Sequence, residues 1–483
     1  MKNRNLLFTL TTLVSTLVLA ACQRSAAPTI APTNQPVAVA DSTVAPTNAP
    51  PTSPAATAAG ASATAPASAS STNSSAATAG GQPVFSKPLE ITNPYYPIAP
   101  ISQTISIGTE DGKSARVEVT LLPDAKTISW AGGNTQVRTA QFVAYSEDQL
   151  VEIAYDYFAQ ADNGDVYYFG EEVANYEDGQ VKDHEGTWMA GKDGAPPALI
   201  MPAHPQIGMV FNPENLPGVV YETDEILSMS EKTTTPKGPI SDGMLVKETM
   251  MDNSIEHKLY ASGFGIVEDR SSDDEKVSLV VVNRADAAPG TVPTSLQTIE
   301  AQAEAIIDDV PGGDWAKVGA DLAPLADAWK AYQAQATADG APQVLQDAFA
   351  TALSGLQQAA AAKNAADTMQ GANDVSAAVM DLFSVYHPAT PADLGRLDVF
   401  EREVVLDAGD EDLTAVADDL AKIDAIWARL EPSVLAHSGA DAAKQFEASV
   451  AAQQAALKAK DGSALTAEAN KALELVDALE QLY

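Results

Sequence analysis

Residues 293–329, PTSLQTIEAQAEAIIDDVPGGDWAKVGADLAPLADAW, recur 98 positions further on as residues 391–427, PADLGRLDVFEREVVLDAGDEDLTAVADDLAKIDAIW. Pro293 falls on Pro391, Leu296 on Leu394, Ile299 on Leu397, Asp314 on Asp412, Val318 on Val416 and Trp329 on Trp427. A one-residue deletion then changes the offset to 97, where Phe349 matches Phe446, Lys363 matches Lys460, Asn373 matches Asn470 and Tyr386 matches Tyr483. Chance in an alanine-rich chain does not put tryptophans, phenylalanines and prolines in one register, so the C-terminal part is a duplication, 293–386 and 391–483. Ala and Leu dominate both copies, and apolar residues recur at the three-to-four spacing of an amphipathic helix. The second copy predicts helices near 392–407, 412–436, 439–459 and 462–482, with Asp412 and Ser463 as N-caps. Short connections suit antiparallel neighbours, hence two tandem four-helix units.

Ahead of the duplication, Ala285 to Thr294 is rich in Ala, Pro and Gly and reads as a linker. From 84 to 284 the composition shifts to aromatics, β-branched residues and turn dipeptides such as Asp111-Gly112, Asp178-Gly179 and Asp193-Gly194. Leu150–Ala159, a turn at Asp162-Asn163-Gly164-Asp165, and Val166–Phe169 read as a hairpin in which Ile153, Tyr155 and Tyr157 share one face. Further strands are expected at 115–122, 139–145, 218–227, 244–249, 256–261 and 277–282. The fold class is therefore α+β: an antiparallel β domain over 84–284 followed by an all-α domain of two tandem four-helix units over 295–483.

The N-terminus carries a different signal. Lys2 and Arg4 precede an apolar run from Leu6 to Leu19, which ends in Leu19-Ala20-Ala21-Cys22. A short basic segment, an apolar stretch shorter than a comfortable span, and small residues at a cleavage point make a secretory signal over 1–21. The last four residues resemble the lipobox of bacterial lipoproteins. That resemblance implies cleavage before Cys22 and acylation of Cys22, anchoring the protein to a membrane on its extracytoplasmic side; each buried CH2 contributes about 0.8 kcal/mol. Residues 22–83 are Ala, Pro, Thr and Ser, too polar to offset their chain entropy, and read as a disordered stalk averaging roughly 40–45 Å end to end.

Cys22 is the only cysteine, so its lipidation leaves no thiol for a disulfide, a thiolate metal site or a nucleophile. The chain holds 28 Lys plus Arg against 65 Asp plus Glu, a formal charge of -37 that becomes -39 without Lys2 and Arg4. Such a surface repels nucleic acid and anionic headgroups, and suits solubility, loose cation binding or a basic partner.

Few motifs carry chemistry. Asp398 and Glu401 stand three residues apart on one predicted helix face with Glu403 nearby, a carboxylate set that could hold a metal. The equivalent positions in the first copy are Glu300, Ala303 and Ala305, so the set is not duplicated. Asn373 and Asn470 are polar residues kept in both copies; each fixes helix register through hydrogen bonds or contacts a ligand. His184, His204, His257, His387 and His437 form no H-x-x-E-H, E-x-x-H or H-x-H pattern, and no phosphate loop, nucleophile elbow or EF-hand spacing occurs. No enzyme activity and no cofactor are expected.

Asn93-Pro94-Tyr95-Tyr96-Pro97, Tyr157-Phe158-Ala159-Gln160, Tyr167-Tyr168-Phe169-Gly170, Met201-Pro202-Ala203-His204-Pro205 and Tyr260-Ala261-Ser262-Gly263-Phe264-Gly265 resemble stretches of uncharacterised β domains in exported bacterial proteins. The open antiparallel half-barrels of lipoprotein carriers are the nearest physical analogy. The duplicated half is similar in layout to imelysin-like periplasmic proteins, which are repeated bundles linked to iron; their H-x-x-E motif is absent, so the metal role does not carry over. The expectation is a lipid-anchored binding or scaffold protein whose partner is a protein or small molecule, with a metal- or cofactor-handling lipoprotein using helical carboxylates as the alternative.

Overall fold

The computed structural model describes residues 82–272 and 275–483. The signal segment, Cys22 and all but the last two residues of the stalk lie outside the described residues. What is described is an α+β architecture, antiparallel strands followed by helices, as the composition shift at the linker predicts.

The first strands, β1 (Ile101–Glu110), β2 (Lys113–Trp130), β3 (Gly133–Ser146), β4 (Gln149–Gln160) and β5 (Val166–Glu177), follow one another through short turns. Shorter pieces come next: β6 (Gln180–Asp183), β7 (Trp188–Met189), β8 (Ala198–Met201), β9 (Val210–Phe211), β10 (Asn215–Leu216) and β11 (Val220–Tyr221). Long strands resume with β12 (Thr223–Thr235), β13 (Gly238–Thr249), β14 (Ile255–Ala261), β15 (Gly265–Arg270) and β16 (Lys276–Arg284). Fourteen of these make one sheet in the order β6-β5-β4-β3-β2-β1-β16-β15-β14-β13-β12-β9, with β7 and β8 also on β5. Strand β1 pairs with both β2 and β16, which brings the start and end of the β region together mid-sheet.

Turn chemistry sets the hairpins. Both residues of Asp111-Gly112 and of Asp178-Gly179 have positive φ, 49° and 75° and then 53° and 69°, the twist that matches two-residue hairpin loops. The β4–β5 hairpin pairs Phe158 with Tyr168 and Ala159 with Tyr167, and its Asp162 accepts from the Ser86 backbone N–H and hydroxyl, both at 2.7 Å. Ile153 and Tyr157 are buried on one face of β4, but Ala154 and Phe158 are buried on the other. The strand is thus covered on both sides, where its alternation predicts cover on one.

The helices are α1 (Thr294–Asp309), α2 (Trp315–Ala336), α3 (Gln343–Ala362), α4 (Ala365–Ser384), α5 (Ala392–Gly409), α6 (Leu413–Ala436), α7 (Ala440–Ala459) and α8 (Gly462–Glu480). The duplication extends to their caps. Pro293 and Pro391 precede α1 and α5, and the Asp314 and Asp412 side chains cap α2 and α6. Lys363 and Lys460 end α3 and α7 in the left-handed conformation, and Asn364 and Asp461 cap α4 and α8. Trp329 packs on Phe349 at 4.2 Å between ring centroids and Trp427 on Phe446 at 4.8 Å, each pair in the core of its own copy. Ser463 is not the cap of α8; it sits inside the first turn because the Asp461 carboxylate already accepts from the Ala464 N–H.

One face of the sheet carries the helices. Ile105, Val280 and Val281 join the core of the first copy, while Val143, Tyr145, Leu150 and Ile153 pack on Ala421 and Ala425 of α6. At the β5–β6 turn the α6 backbone comes so close to Gly179 that a Cβ there would stand 2.1 Å from the Asp418 nitrogen. The segment 285–294, expected as a linker, is pinned: the Gly290 N–H donates to the His387 carbonyl at 3.0 Å and Val292 enters the helical core.

A buried charge network ties the layers together. Arg116 of β2 grips Asp381 of α4 with two 2.8 Å hydrogen bonds and donates to Glu118 at 2.7 Å. Arg429 of α6 holds Asp393 of α5 at 2.6 Å and Glu118 at 2.8 Å, and Arg396 bridges Asp393 and Asp381, both at 2.7 Å. Three guanidiniums, from β2, α5 and α6, thus neutralise three carboxylates, from β2, α4 and α5. Bidentate geometry suits arginine, and the loss of any one member would strand a charge away from water.

Candidate functional site

Successive side chains of a strand point to opposite faces. With Glu118, Gln141 and Ile153 turned toward the helices, Val117, Val119, Leu121, Ala140, Phe142, Asp156 and Phe158 line the opposite face, where they meet β12–β15. Phe158 and Tyr168 from one side of the strand order share a core with Ile226, Met244, Val246 and Tyr260 from the other, so the sheet curves on itself. Inside the curve lies a cavity of about 230 Å³. A single water needs roughly 10–15 Å³ on the same measure, so the space admits a small organic molecule.

The stretch 93–98 helps to wall the cavity. Asn93 is buried, donates to the carbonyls of Gly164 (3.2 Å) and Pro202 (3.1 Å), and accepts from the Tyr95 N–H. Tyr96, Pro97 and Ile98 then reach the cavity, Tyr96 edge-on to Phe158 at 5.3 Å. Four stretches quoted above for their resemblance therefore meet here: residues 93–97, 157–160, 167–170 and 260–265 all contribute lining side chains.

The polar lining is one-sided in charge. Asp156, Glu214, Glu222, Asp224, Glu248 and Asp269 border the cavity, and among the described residues Lys258 is the one basic lining group. Asp224 and Glu248 stand directly opposite each other on β12 and β13, an arrangement that like charges disfavour. Lys258 Nζ pairs with Glu248 at 2.5 Å. Burial opposes the lysine's charge, yet Glu248, Asp269 and Glu222 hold its pKa well above the ordinary value.

Burial pushes the acids the other way. It raises Asp156, Glu214 and Asp269 to about 7 each. Burial and then the neighbouring carboxylates carry Glu222 and Asp224 well above the usual range. Beneath the wall, burial and then the neighbouring Glu214 raise the Glu171 carboxyl well above the usual range, and Glu214 accepts from the Trp188 indole at 3.1 Å. Among the described residues, nothing hydrogen-bonds the buried Asp224 Oδ1 and Asp269 Oδ2.

The residues singled out in the helices lie elsewhere. Asp398, Asn373 and Asn470 line a second, more polar groove of about 500 Å³ between α1, α4, α5 and α8. Asn373 is buried and donates to Val399 O at 3.0 Å and Glu403 Oε1 at 2.7 Å, whereas Asn470 is exposed and turns to its own Thr466 carbonyl. Glu401 stays outside the groove, fully buried, with Oε2 accepting from Gln453 at 2.8 Å. Asp398 faces Arg402 at 3.9 Å. Among the described residues no three His, Cys, Asp or Glu side chains converge to hold a metal ion.

Sequence reasoning passed over the cavity acids. A signal for them existed on β13, where Met244 and Val246 lead at alternate positions to Glu248, an apolar face that ends in a carboxylate. No protein-family model, curated protein or solved structure matches this chain. Among the described residues no helix is long and apolar enough to cross a membrane.

Proposed function

We propose that this chain is a lipid-tethered, extracytoplasmic binding protein whose ligand occupies the cavity inside the curved sheet. The observation that carries this reading is open space bordered by two buried carboxylate oxygens, on Asp224 and Asp269, that have no partner. Protein interiors pack to crystal-like density, and a buried acceptor left unsatisfied costs about 1–3 kcal/mol, so a fold keeps such a feature when something fills it. The helices brace the other face of the sheet through the Arg116, Arg396 and Arg429 network, which holds the cavity wall rigid. The tether rests on the basic start, apolar run and Cys22 of the sequence.

N-phenyl-1-naphthylamine, a neutral dye that brightens on leaving water, tests the reading. Titrated into the full-length chain it should give saturable enhancement. Val119→Phe, which projects a ring into the cavity, should weaken binding at least tenfold with the Tm unchanged within a few degrees. No enhancement with the native residue, or undiminished binding in the variant, contradicts the proposal.

A further inference from the structure

Resting on that reading, we infer that the ligand is an organic cation, a primary ammonium joined to an apolar body, drawn into the cavity by the unpartnered carboxyls of Asp224 and Asp269. Both side chains are at least nine-tenths buried, both border the cavity, and each has one oxygen without a partner. They come from strands β12 and β15, and between them Glu248 and Lys258 are committed to each other. Burial favours the neutral form of both carboxyls in the empty cavity; a bound ammonium favours the ionised form, draws off their protons and leaves oxygens that only accept.

The remaining ligand classes fit less well. An anion would need a free cation in the wall, and Lys258, the basic lining residue, already faces Glu248 and is surrounded by Asp269 and Glu222. A neutral apolar molecule would bury Asp224 and Asp269 still further without a partner. A metal ion would need three or more converging ligands, which the described residues do not offer. An ammonium supplies three N–H donors and a positive charge in a wall where six acidic side chains face one lysine. The apolar lining, including Val117, Val119, Leu121 and Phe142, suits an alkyl or arylalkyl body, and the rings of Tyr96 and Tyr260 are available to a cation.

Calorimetry with three probes of one chain length separates these possibilities. The protein is the full-length chain carrying Cys22→Ala, so that neither lipid nor detergent competes. Octylammonium should bind at least tenfold more tightly than 1-octanol, and octanoate should be the weakest of the three. Asp224→Asn and Asp269→Asn should each weaken octylammonium at least fivefold while leaving 1-octanol unchanged within twofold. Equal binding of octylammonium and 1-octanol, or tightest binding of octanoate, overturns the inference and leaves the cavity reading standing. Failure of all three probes to bind overturns both. The comparison of probes on the native cavity holds even where a variant folds poorly.

Discussion

Arg402 and Glu304 occupy the same position in the two helical copies, 98 residues apart, and their side chains meet at 2.7 Å. The duplicated position thus carries opposite charges, and the copies pair through it across the groove that both line. The two ends are unequal. Arg402 is buried beside Asp398 and Glu300, whose carboxyls burial raises to about 8 each, while Glu304 is nearly half exposed. Glu304→Gln should therefore cost no more than about 1 kcal/mol, as exposed pairs do. Arg402→Gln should cost more, roughly 2–3 kcal/mol, because it removes a buried side chain and leaves buried polar groups without their donor. Urea midpoints measure both, and equal losses would contradict the asymmetry.

Arg429 has a side chain only 1 % exposed and touches the sheet through Glu118 and the helices through Asp393. Arg429→Met should destabilise by about 3–5 kcal/mol, the cost of stranding a buried partner. Because the residue ties both layers together, near-UV and far-UV transitions should stay coincident in the native chain. A loss under 1 kcal/mol in urea unfolding would contradict this.

Acid and base should both weaken the fold, from different groups. Burial opposes the charge on Asp381, but Arg116 and Arg396 outweigh it and push its carboxyl down to about 2. Its contribution is present above an unfolded value near 4 and is lost as pH falls toward 2. The raised acids behave oppositely: Asp156, Glu214 and Asp269 at about 7, and Glu152, Asp398 and Glu401 at about 8, retain protons that the unfolded chain has released. Their contribution is complete below the unfolded value and is lost as pH rises through 7–8. Tm should peak between about pH 4 and 5 and fall steadily to pH 8.5; a Tm that rises over that interval would contradict the protonation scheme.

The elements that were legible in the sequence are those with local causes. The Asp412 cap and the apolar spacing place the four helices of the second copy to within two residues, and Asp162-Asn163-Gly164 places a hairpin turn. Pro123-Asp124 looks like the end of a strand, yet β2 continues through it as a bulge between Leu121 and Ala125. β1 was hidden because it is covered on both faces, Ile105 under the helices and Thr104 and Ser106 toward the cavity, which blurs its alternation. The cavity itself has no local cause. Asp224, Glu248 and Asp269 lie on three strands, and only the curvature of the whole sheet makes them neighbours of Phe142 and Phe158.

Cys22 governs location in the proposed reading. Cys22→Ala should move the protein from the membrane pellet to the soluble fraction after cell breakage, with an unchanged fold by circular dichroism. Retention in the pellet would contradict the lipid tether.

If the space inside the sheet is the binding site, the methyl groups that line it must respond to ligand. Methyl NMR on isoleucine-labelled protein during titration with N-phenyl-1-naphthylamine tests it most directly. Ile98, Ile101, Ile200 and Ile266 line the cavity, while Ile299, Ile306, Ile423 and Ile426 lie in the helical cores. Saturable shifts are expected in the first four methyls with the other four unmoved. Shifts confined to the helical methyls, or none at all, would contradict it.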